Sequence, residues 1–171
     1  MEHVKSKIRD IPDFPKEGIL FKDITPLLQD GLHFKQAIDA MKDRYKGKRI
    51  DAVIGIEARG FAIAAPLAYS LETGLVLVRK PGKLPYKTHR VSYELEYGTD
   101  SLEIHQDAIK PGQNVLLVDD LLATGGTVLA TTELITQLKG TIVEIAFLIE
   151  LSFLNGREKL KDFQVFSLIE F

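Results

Sequence analysis

Apolar residues recur at helical spacing in residues 33–45. Phe34, Ala37, Ile38, Met41 and Tyr45 fall on one stripe of a helix, and Gly47 follows as a stop signal. Because the residues between them are mostly polar, the segment has one face for a core and one for solvent. The pattern predicts an amphipathic helix.

Four further segments are continuous apolar runs, at residues 51–56, 75–78, 115–118 and 142–151. An alanine-rich stretch of helix formers, 61–71, follows the first run. A second helical pattern follows the third run, with apolar positions at Val128, Leu129, Leu134, Ile135 and Leu138. Continuous apolar strands that alternate with helices are typical of a parallel sheet covered on both faces. We therefore predict a three-layer α/β fold with a mainly parallel sheet.

The length and composition indicate one domain. The 171 residues contain no internal repeat, low-complexity tract or linker rich in proline, glycine and serine. A chain of this size buries enough surface to fold without disulfides or structural metals. We expect a single domain over residues 1–171.

Each of the first three strands is followed by polar or glycine-containing residues, at 57–60, 79–83 and 119–127. Ligands of open α/β sheets bind beyond the carboxyl ends of the strands, where these segments would meet. The sequence therefore predicts one ligand site along this edge of the sheet.

The segment 119–127 carries the most specific chemistry. Asp119 and Asp120 suit hydroxyl groups or hydrated Mg²⁺, while the glycines and threonines that follow lead into a helix N-terminus that suits a phosphate. A ribose 5-phosphate satisfies both requirements. The alternative is a buried strand with two solvated aspartates and a helix capped by threonine. The spacing matches neither GxxxxGK[ST] nor GxGxxG, which disfavours a triphosphate loop and a dinucleotide fold.

This segment resembles the phosphoribosyl pyrophosphate (PRPP) signature of type I phosphoribosyltransferases. The resemblance implies that Asp119 and Asp120 contact the ribose hydroxyls, directly or through Mg²⁺ as cofactor. It also implies that the 5-phosphate is held by Ala123, Thr124, Gly125, Gly126 and Thr127.

Two basic segments are candidates for a second anionic group. Arg59 lies between a strand and a helix, and residues 79–83 supply Arg79, Lys80 and Lys83. Taken singly, either set also fits solvated surface charges. Both resemble the pyrophosphate-contacting loops of adenine phosphoribosyltransferases, and that likeness implies contacts from Glu57, Ala58 and Arg59 and a cis peptide between Glu57 and Ala58.

Residues 84–100 are polar and aromatic, with an alternating pattern near residues 93–97, which predicts a long loop and a hairpin that closes over the site. Alternating tyrosine and glutamate also fits a half-exposed hairpin without a catalytic role. Residues 92–105 resemble the flexible loop of adenine phosphoribosyltransferases. By that resemblance Glu96 is the proton-transfer residue, with Tyr97 beside it.

Residues 11–28 are punctuated by proline and glycine, which indicates an irregular hood over the core, formed by about residues 8–30. Purine sites need apolar walls on both ring faces, and Phe21 is a candidate wall. The resemblance implies that Phe21 stacks on adenine and that Leu151 is the opposite wall. It further implies that the backbones of Leu20 and Lys22 read the base edge; arginine is frequent in the family at the position of Lys22.

Over about residues 11–168 the resemblance implies a homodimeric enzyme that converts adenine and PRPP to AMP and pyrophosphate, with Arg79 reaching the neighbouring site. A hypoxanthine, guanine or xanthine transferase and a non-catalytic PRPP-sensing regulator are the alternatives.

The net charge of −2 argues against nucleic-acid binding, and the absence of cysteine excludes thiolate chemistry. No apolar run has the length of a membrane span, so we expect a cytoplasmic protein that does not engage a membrane.

Overall fold

The fold is built on a five-stranded parallel sheet. The computed structural model describes residues 1–95 and 98–171. The strands of this sheet are β3 Ala52–Ile56, β4 Gly74–Val78, β7 Asn114–Leu122, β8 Thr141–Glu150 and β9 Val165–Glu170. Their order is β4-β3-β7-β8-β9, and each neighbouring pair is parallel.

Helices cover both faces of the sheet, which confirms the three-layer prediction. On one face α3 and α4 pack over a core that includes Met41, Leu67 and Leu116. On the other face α5 packs over Ile54 and Leu117. Burial of both faces of the central strands explains why residues 52–56 of β3 and 115–118 of β7 are continuously apolar. The helices are α1 Glu2–Lys5, α2 Thr25–Gln29, α3 Gly31–Arg44, α4 Gly60–Ser70 and α5 Gly126–Gln137.

Strand β7 is longer than the apolar run 115–118 that predicted it. It continues to Leu122, with Asp119 paired to Phe147 and Leu121 to Ile149 of β8. The two aspartates therefore belong to the strand, whereas the sequence placed them after it. The reason is that pairing with the long strand β8 keeps the backbone extended past the point where the apolar run is interrupted.

Strand β9 was not among the predicted runs. It pairs with β8 at the edge of the sheet, and most of its residues are only partly buried. An edge strand with few buried residues carries a weak hydrophobic signal, so the pattern of residues 165–170 did not identify it.

The hood contains more regular structure than its proline and glycine residues indicated. Strands β1 (Arg9–Ile11) and β2 (Phe21–Asp23) form an antiparallel pair. The Phe14–Pro15 peptide bond in the intervening loop is cis. Arg9 donates to Asp23 at 2.6 Å across the base of this pair. The irregular loop is thus confined to residues 12–20.

The predicted hairpin is formed by β5 (Thr88–Leu95) and β6 (Gly98–His105), which pair antiparallel and pack beside α5. Two short 3₁₀ helices, Ser152–Leu154 and Gly156–Leu160, follow β8. Within the described ranges no helix combines the length and the apolar character needed to cross a bilayer.

Candidate active site

Three adjoining cavities lie at the carboxyl edge of the sheet. We name them the loop cavity, of about 80 Å³, the polar cavity, of about 310 Å³, and the hood cavity, of about 880 Å³. Thr127 lines all three. The predicted segments after β3, β4 and β7 therefore converge on one edge, as the strand order requires.

The loop cavity is formed by Asp119 and residues 121–128, where β7 turns into α5. Gly125 precedes the helix with a φ of +80°, a conformation that favours glycine. The first-turn amides of a helix have no intrahelical acceptors and carry the positive end of the helix dipole. The residues predicted to hold a 5-phosphate thus surround a small cavity suited to an anion.

The two aspartates are held close together with one cation. The Asp120 backbone N–H donates to Asp119 Oδ1 at 2.9 Å, and Arg59 Nε lies 2.9 Å from Asp120 Oδ2. Asp120 is buried, so it is not the solvated aspartate of the alternative interpretation. Burial, and then repulsion from Asp120, raises the pKa of Asp119 well above its usual value. Burial also raises the pKa of Asp120, although Arg59 opposes that shift.

Of the cations predicted to bind pyrophosphate, Arg59 and Lys80 line the polar cavity. Lys80 pairs with Asp100 of β6, and its backbone N–H donates to Glu57 Oε2 at 2.7 Å. Burial tends to raise the pKa of Asp100, but the bonds from Lys80 and from the Ser101 amide hold it below its usual value. Both cavity cations therefore already have carboxylate partners.

Arg79 and Lys83 lie outside the described lining of the polar cavity. Arg79 Nε lies 3.2 Å from Glu57 Oε2, and its Nη1 donates to the Lys83 carbonyl at 3.3 Å. The peptide bond between Glu57 and Ala58 is cis, as the family resemblance implied. Ala58 and Glu57 both line the polar cavity.

The hood cavity is bounded by Leu20 on one side and Leu151 on the other. Phe21, predicted to be a wall, is not among the described lining residues of this cavity. The Arg59 guanidinium lies 4.9 Å from its ring centroid, and the Phe14 ring meets it edge-on at 5.0 Å. Phe21 is therefore placed at the border between the polar cavity and the hood.

The side chain of Lys22 is buried away from the hood cavity. Its Nζ lies 2.6 Å from Asp10 Oδ1 and 3.8 Å from the centroid of the Phe171 ring. These contacts tie β2 to β1 and to the residue that follows β9. The arrangement leaves only the backbone of Lys22 for a role at a ligand.

The sequence of this chain is similar to those of known proteins. Residues 26–171 match the phosphoribosyl transferase domain family. The chain is 60% identical over 171 residues, all of both chains, to an adenine phosphoribosyltransferase of Trichlorobacter lovleyi. The chain belongs to the adenine phosphoribosyltransferase family. The enzyme of Geotalea daltonii is also 60% identical over the full length of both chains.

Crystal structures of adenine phosphoribosyltransferases have the same fold. The structure from Thermoanaerobacter pseudethanolicus has a TM-score of 0.97 at 55% identity, with 99% of each chain covered. The Saccharomyces cerevisiae structure, a complex with an imino-altritol bisphosphate and adenine, has a TM-score of 0.93 at 43% identity and covers 98% of this chain and 97% of that chain. The three-layer architecture is thus that of adenine phosphoribosyltransferases.

Sequence reasoning missed several residues that line these cavities. The Tyr93 hydroxyl lies 3.3 Å from Thr127 Oγ1 and donates to Asp100 Oδ2 at 3.3 Å. The alternation of β5 could have placed Tyr93 on the inner face of the hairpin. Other missed residues line the hood cavity: Pro15, Lys16, Gly18, Ile19, Glu94, Phe153, Leu154 and Lys159. The predicted catalytic residues Glu96 and Tyr97 lie outside the described residues, so their roles stay predictions.

Proposed function

We propose that this chain transfers the phosphoribosyl group of PRPP to adenine, producing AMP and pyrophosphate, the purine-salvage reaction. The observation that carries the proposal is the meeting of the three cavities at Thr127. A small amide-lined cavity, a cavity with cations and an apolar cavity match the phosphate, the pyrophosphate and the base of the two substrates. The full-length likeness to adenine phosphoribosyltransferases favours adenine over hypoxanthine, guanine or xanthine.

In this proposal the 5-phosphate of PRPP occupies the loop cavity and accepts hydrogen bonds from the first-turn amides of α5. The ribose hydroxyls donate to Asp119 and Asp120, which relieves the repulsion between these carboxylates. The pyrophosphate group lies in the polar cavity beside Arg59 and Lys80. Its oxygens then replace Asp120 and Asp100 as partners of these cations, so binding exchanges internal ion pairs for bonds to the ligand.

The carboxylate pair also fits a magnesium ion that enters with PRPP. Mg²⁺ prefers oxygen ligands, retains several waters and commonly takes one or two carboxylates together with substrate phosphates. Asp119 and Asp120 would hold it, and the phosphates and water would supply the other ligands. When bound, the ion would neutralise the negative charge that develops on the pyrophosphate.

Adenine would lie in the hood cavity between the hood residue Leu20 and the wall residue Leu151, with Phe21 at its border. The bond from ribose C1 to the pyrophosphate oxygen breaks and leaves its electron pair on pyrophosphate. A ring nitrogen of adenine forms the new bond to C1 and loses its proton. We assign acceptance of that proton to Glu96 on the family resemblance, and Arg59 and Lys80 would stabilise the leaving group electrostatically.

The test is an assay of AMP formation from PRPP, Mg²⁺ and adenine, with hypoxanthine and guanine in parallel. We expect turnover with adenine, and a fall of about 10² to 10⁴-fold in kcat in Glu96→Gln because a general base is lost. Turnover with another purine but not adenine would contradict the substrate assignment. Binding of PRPP without any turnover in the wild-type protein would favour the PRPP-sensing regulator instead.

We further propose a homodimer in which the exposed face of α4 and β4 meets a second copy. Tyr69 is 87% exposed, and Leu75 and Leu77 of β4 are also exposed, although apolar side chains of this kind usually pack. Light scattering should give twice the chain mass for wild type and a lower mass for Tyr69→Glu. A monomeric wild type would refute the dimer.

Because PRPP and AMP are too highly charged to cross a bilayer unaided, we also propose a cytoplasmic location.

A further inference from the structure

Arg157 anchors the segment that follows β8. Its guanidinium donates to both carboxylate oxygens of Glu150, from Nε at 2.7 Å and from Nη2 at 2.6 Å. Its Nη1 donates to the Val165 carbonyl at 3.0 Å, and Ser167 Oγ donates to Glu150 Oε2 at 2.6 Å. A planar guanidinium bonded in this way fixes orientation as well as position. One side chain therefore ties residues 151–157 to both β8 and β9.

The anchored segment forms a wall of the hood cavity. Leu151, Phe153 and Leu154 line that cavity, opposite the hood. The Leu151 amide donates to the Leu122 carbonyl at 2.9 Å, so the wall starts at the end of β7. Residues 123–127, which we propose hold the 5-phosphate and call the phosphate loop, begin at the same place. The position of this segment thus sets one face of the space assigned to the base.

The same segment touches the phosphate loop through backbone atoms. A Cβ atom on Gly156 would lie 2.2 Å from the Ala123 carbonyl oxygen, and one on Gly125 would lie 2.7 Å from the Gly156 carbonyl oxygen. Real Cβ atoms do not come so close, so only glycine at both positions lets the two backbones meet. Any shift of Gly156 toward the loop must therefore displace the loop residues.

We infer that Arg157 is a positioning residue that couples the base wall to the phosphate loop. Arg157 is not among the described lining residues of the loop or hood cavity, so it acts through the segment that it holds. Without it, residues 153–157 lose their side-chain link to β9, while the Ser152 amide still donates to the Phe171 carbonyl at 3.0 Å. The part of the wall after Ser152 and the backing of the loop can then move. The inference rests on the proposed function, since it specifies how the adenine and PRPP subsites are held in register.

The test compares Arg157→Ala with a matched control, Arg44→Ala. Arg44 bonds Glu144 at the other end of β8 with the same two distances, 2.7 and 2.6 Å. We expect Arg157→Ala to raise the KM for adenine and the KM for PRPP together by about tenfold, as follows from a displacement of less than about 1 Å. Arg44→Ala should leave both KM values within about twofold, because it is distant from the cavities. Assays run well below the Tm of each variant.

Two further variants serve if Arg157→Ala does not fold. Arg157→Lys keeps the charge but not the paired bonds, and its KM values should fall between those of wild type and Arg157→Ala. Gly156→Ala leaves the Arg157–Glu150 pair in place and should raise the KM for PRPP by about tenfold by displacing the loop.

Unchanged KM values, a change confined to adenine, or an equal change in Arg44→Ala would overturn the coupling. An inactive wild-type protein would instead refute the proposed function. The two failures are therefore distinguishable.

Discussion

The two ends of the sheet each hold a buried carboxylate beside an arginine, but with opposite charge balance. At the amino end of β8, Glu144 accepts two bonds from Arg44, and Lys48 lies 3.8 Å away. At the carboxyl end of β7, Asp119 and Asp120 share the nearby guanidinium of Arg59. The first site has one carboxylate for two cations, whereas the second has two carboxylates for one cation.

The pKa shifts follow this balance. Burial alone would raise the pKa of Glu144, but the hydrogen bonds from Arg44 and the charges of Arg44 and Lys48 hold it below its usual value. Burial and mutual repulsion raise the pKa of the aspartates. The amino end therefore stabilises the folded chain, while the carboxyl end keeps a negative charge that a bound cation can neutralise. Similar residue types thus serve stability in one place and, in our proposal, binding in the other.

The largest expected effect on folding is at the amino end. Arg44→Ala should lower the free energy of unfolding by about 3 kcal/mol, because the buried Glu144 loses its bidentate partner. The value lies at the low end for buried pairs since Lys48 remains nearby. Urea denaturation measures it. Loss of less than about 1 kcal/mol would mean that this pair contributes no more than an exposed ion pair.

The carboxyl end should respond in the opposite direction. Asp119→Asn removes one of two repelling carboxylates, so we expect a gain of about 1 kcal/mol in unfolding free energy together with a loss of about 10²-fold in kcat/KM. Denaturation and the AMP assay give the two numbers. Asp39→Asn, on the exposed face of α3, is the control and should change neither. A destabilised Asp119→Asn protein would refute the view that repulsion between Asp119 and Asp120 lowers the free energy of unfolding.

The pH dependence distinguishes the two ends further. The pKa of Glu144 is lowered in the folded state, so its stabilisation is present above its unfolded value of 4.5 and is lost as pH falls through the folded value. The pKa of Asp119 is raised above 3.8, so its stabilisation is present below that value and is lost as pH rises through the folded value.

Urea denaturation across pH tests both signs. From about pH 4 upward, Asp119→Asn should gain stability relative to wild type, by an amount on the order of 1 kcal/mol. Glu144→Gln should become progressively worse than wild type as pH rises from the lowered folded pKa of Glu144 to its unfolded value of 4.5, and the difference should stay constant at higher pH. Parallel pH profiles for the two variants would contradict the difference in charge balance.

The smallest effect is expected from an ion pair on the surface. Lys35 and Asp39 pair one helical turn apart on α3, with side chains 73% and 45% exposed. Lys35→Ala should change the unfolding free energy by less than about 0.5 kcal/mol, because water screens the pair and alanine favours the helix. A larger change would show that burial is not what separates the Glu144 pair from ordinary ion pairs.

Much of the fold could be predicted because its signals are local. The apolar runs predicted β3, β4 and β8 to within a few residues. Helical spacing predicted α3 and α5, and the helix-forming composition of residues 61–71 predicted α4. The edge strand β9 and the extension of β7 through Asp119 depend on pairing with β8, and no local pattern encodes that. The local sequence pattern did not predict the hood strands for the same reason, because β1 and β2 are short and stabilise each other across a loop.

By itself the sequence determined the turn from β7 into α5, because the geometry of this turn depends on adjacent residues: small residues, two glycines and the start of a helix. Only the tertiary structure decided that Arg59 and Lys80 enter the polar cavity while Arg79 turns to Glu57, and that Tyr93 and Asp100 join them. It also decided the raised pKa of Asp119 and the contact between Gly125 and Gly156. The physical reason is that charge balance, burial and close approach arise between segments far apart in the chain, whereas a turn is specified by its neighbours.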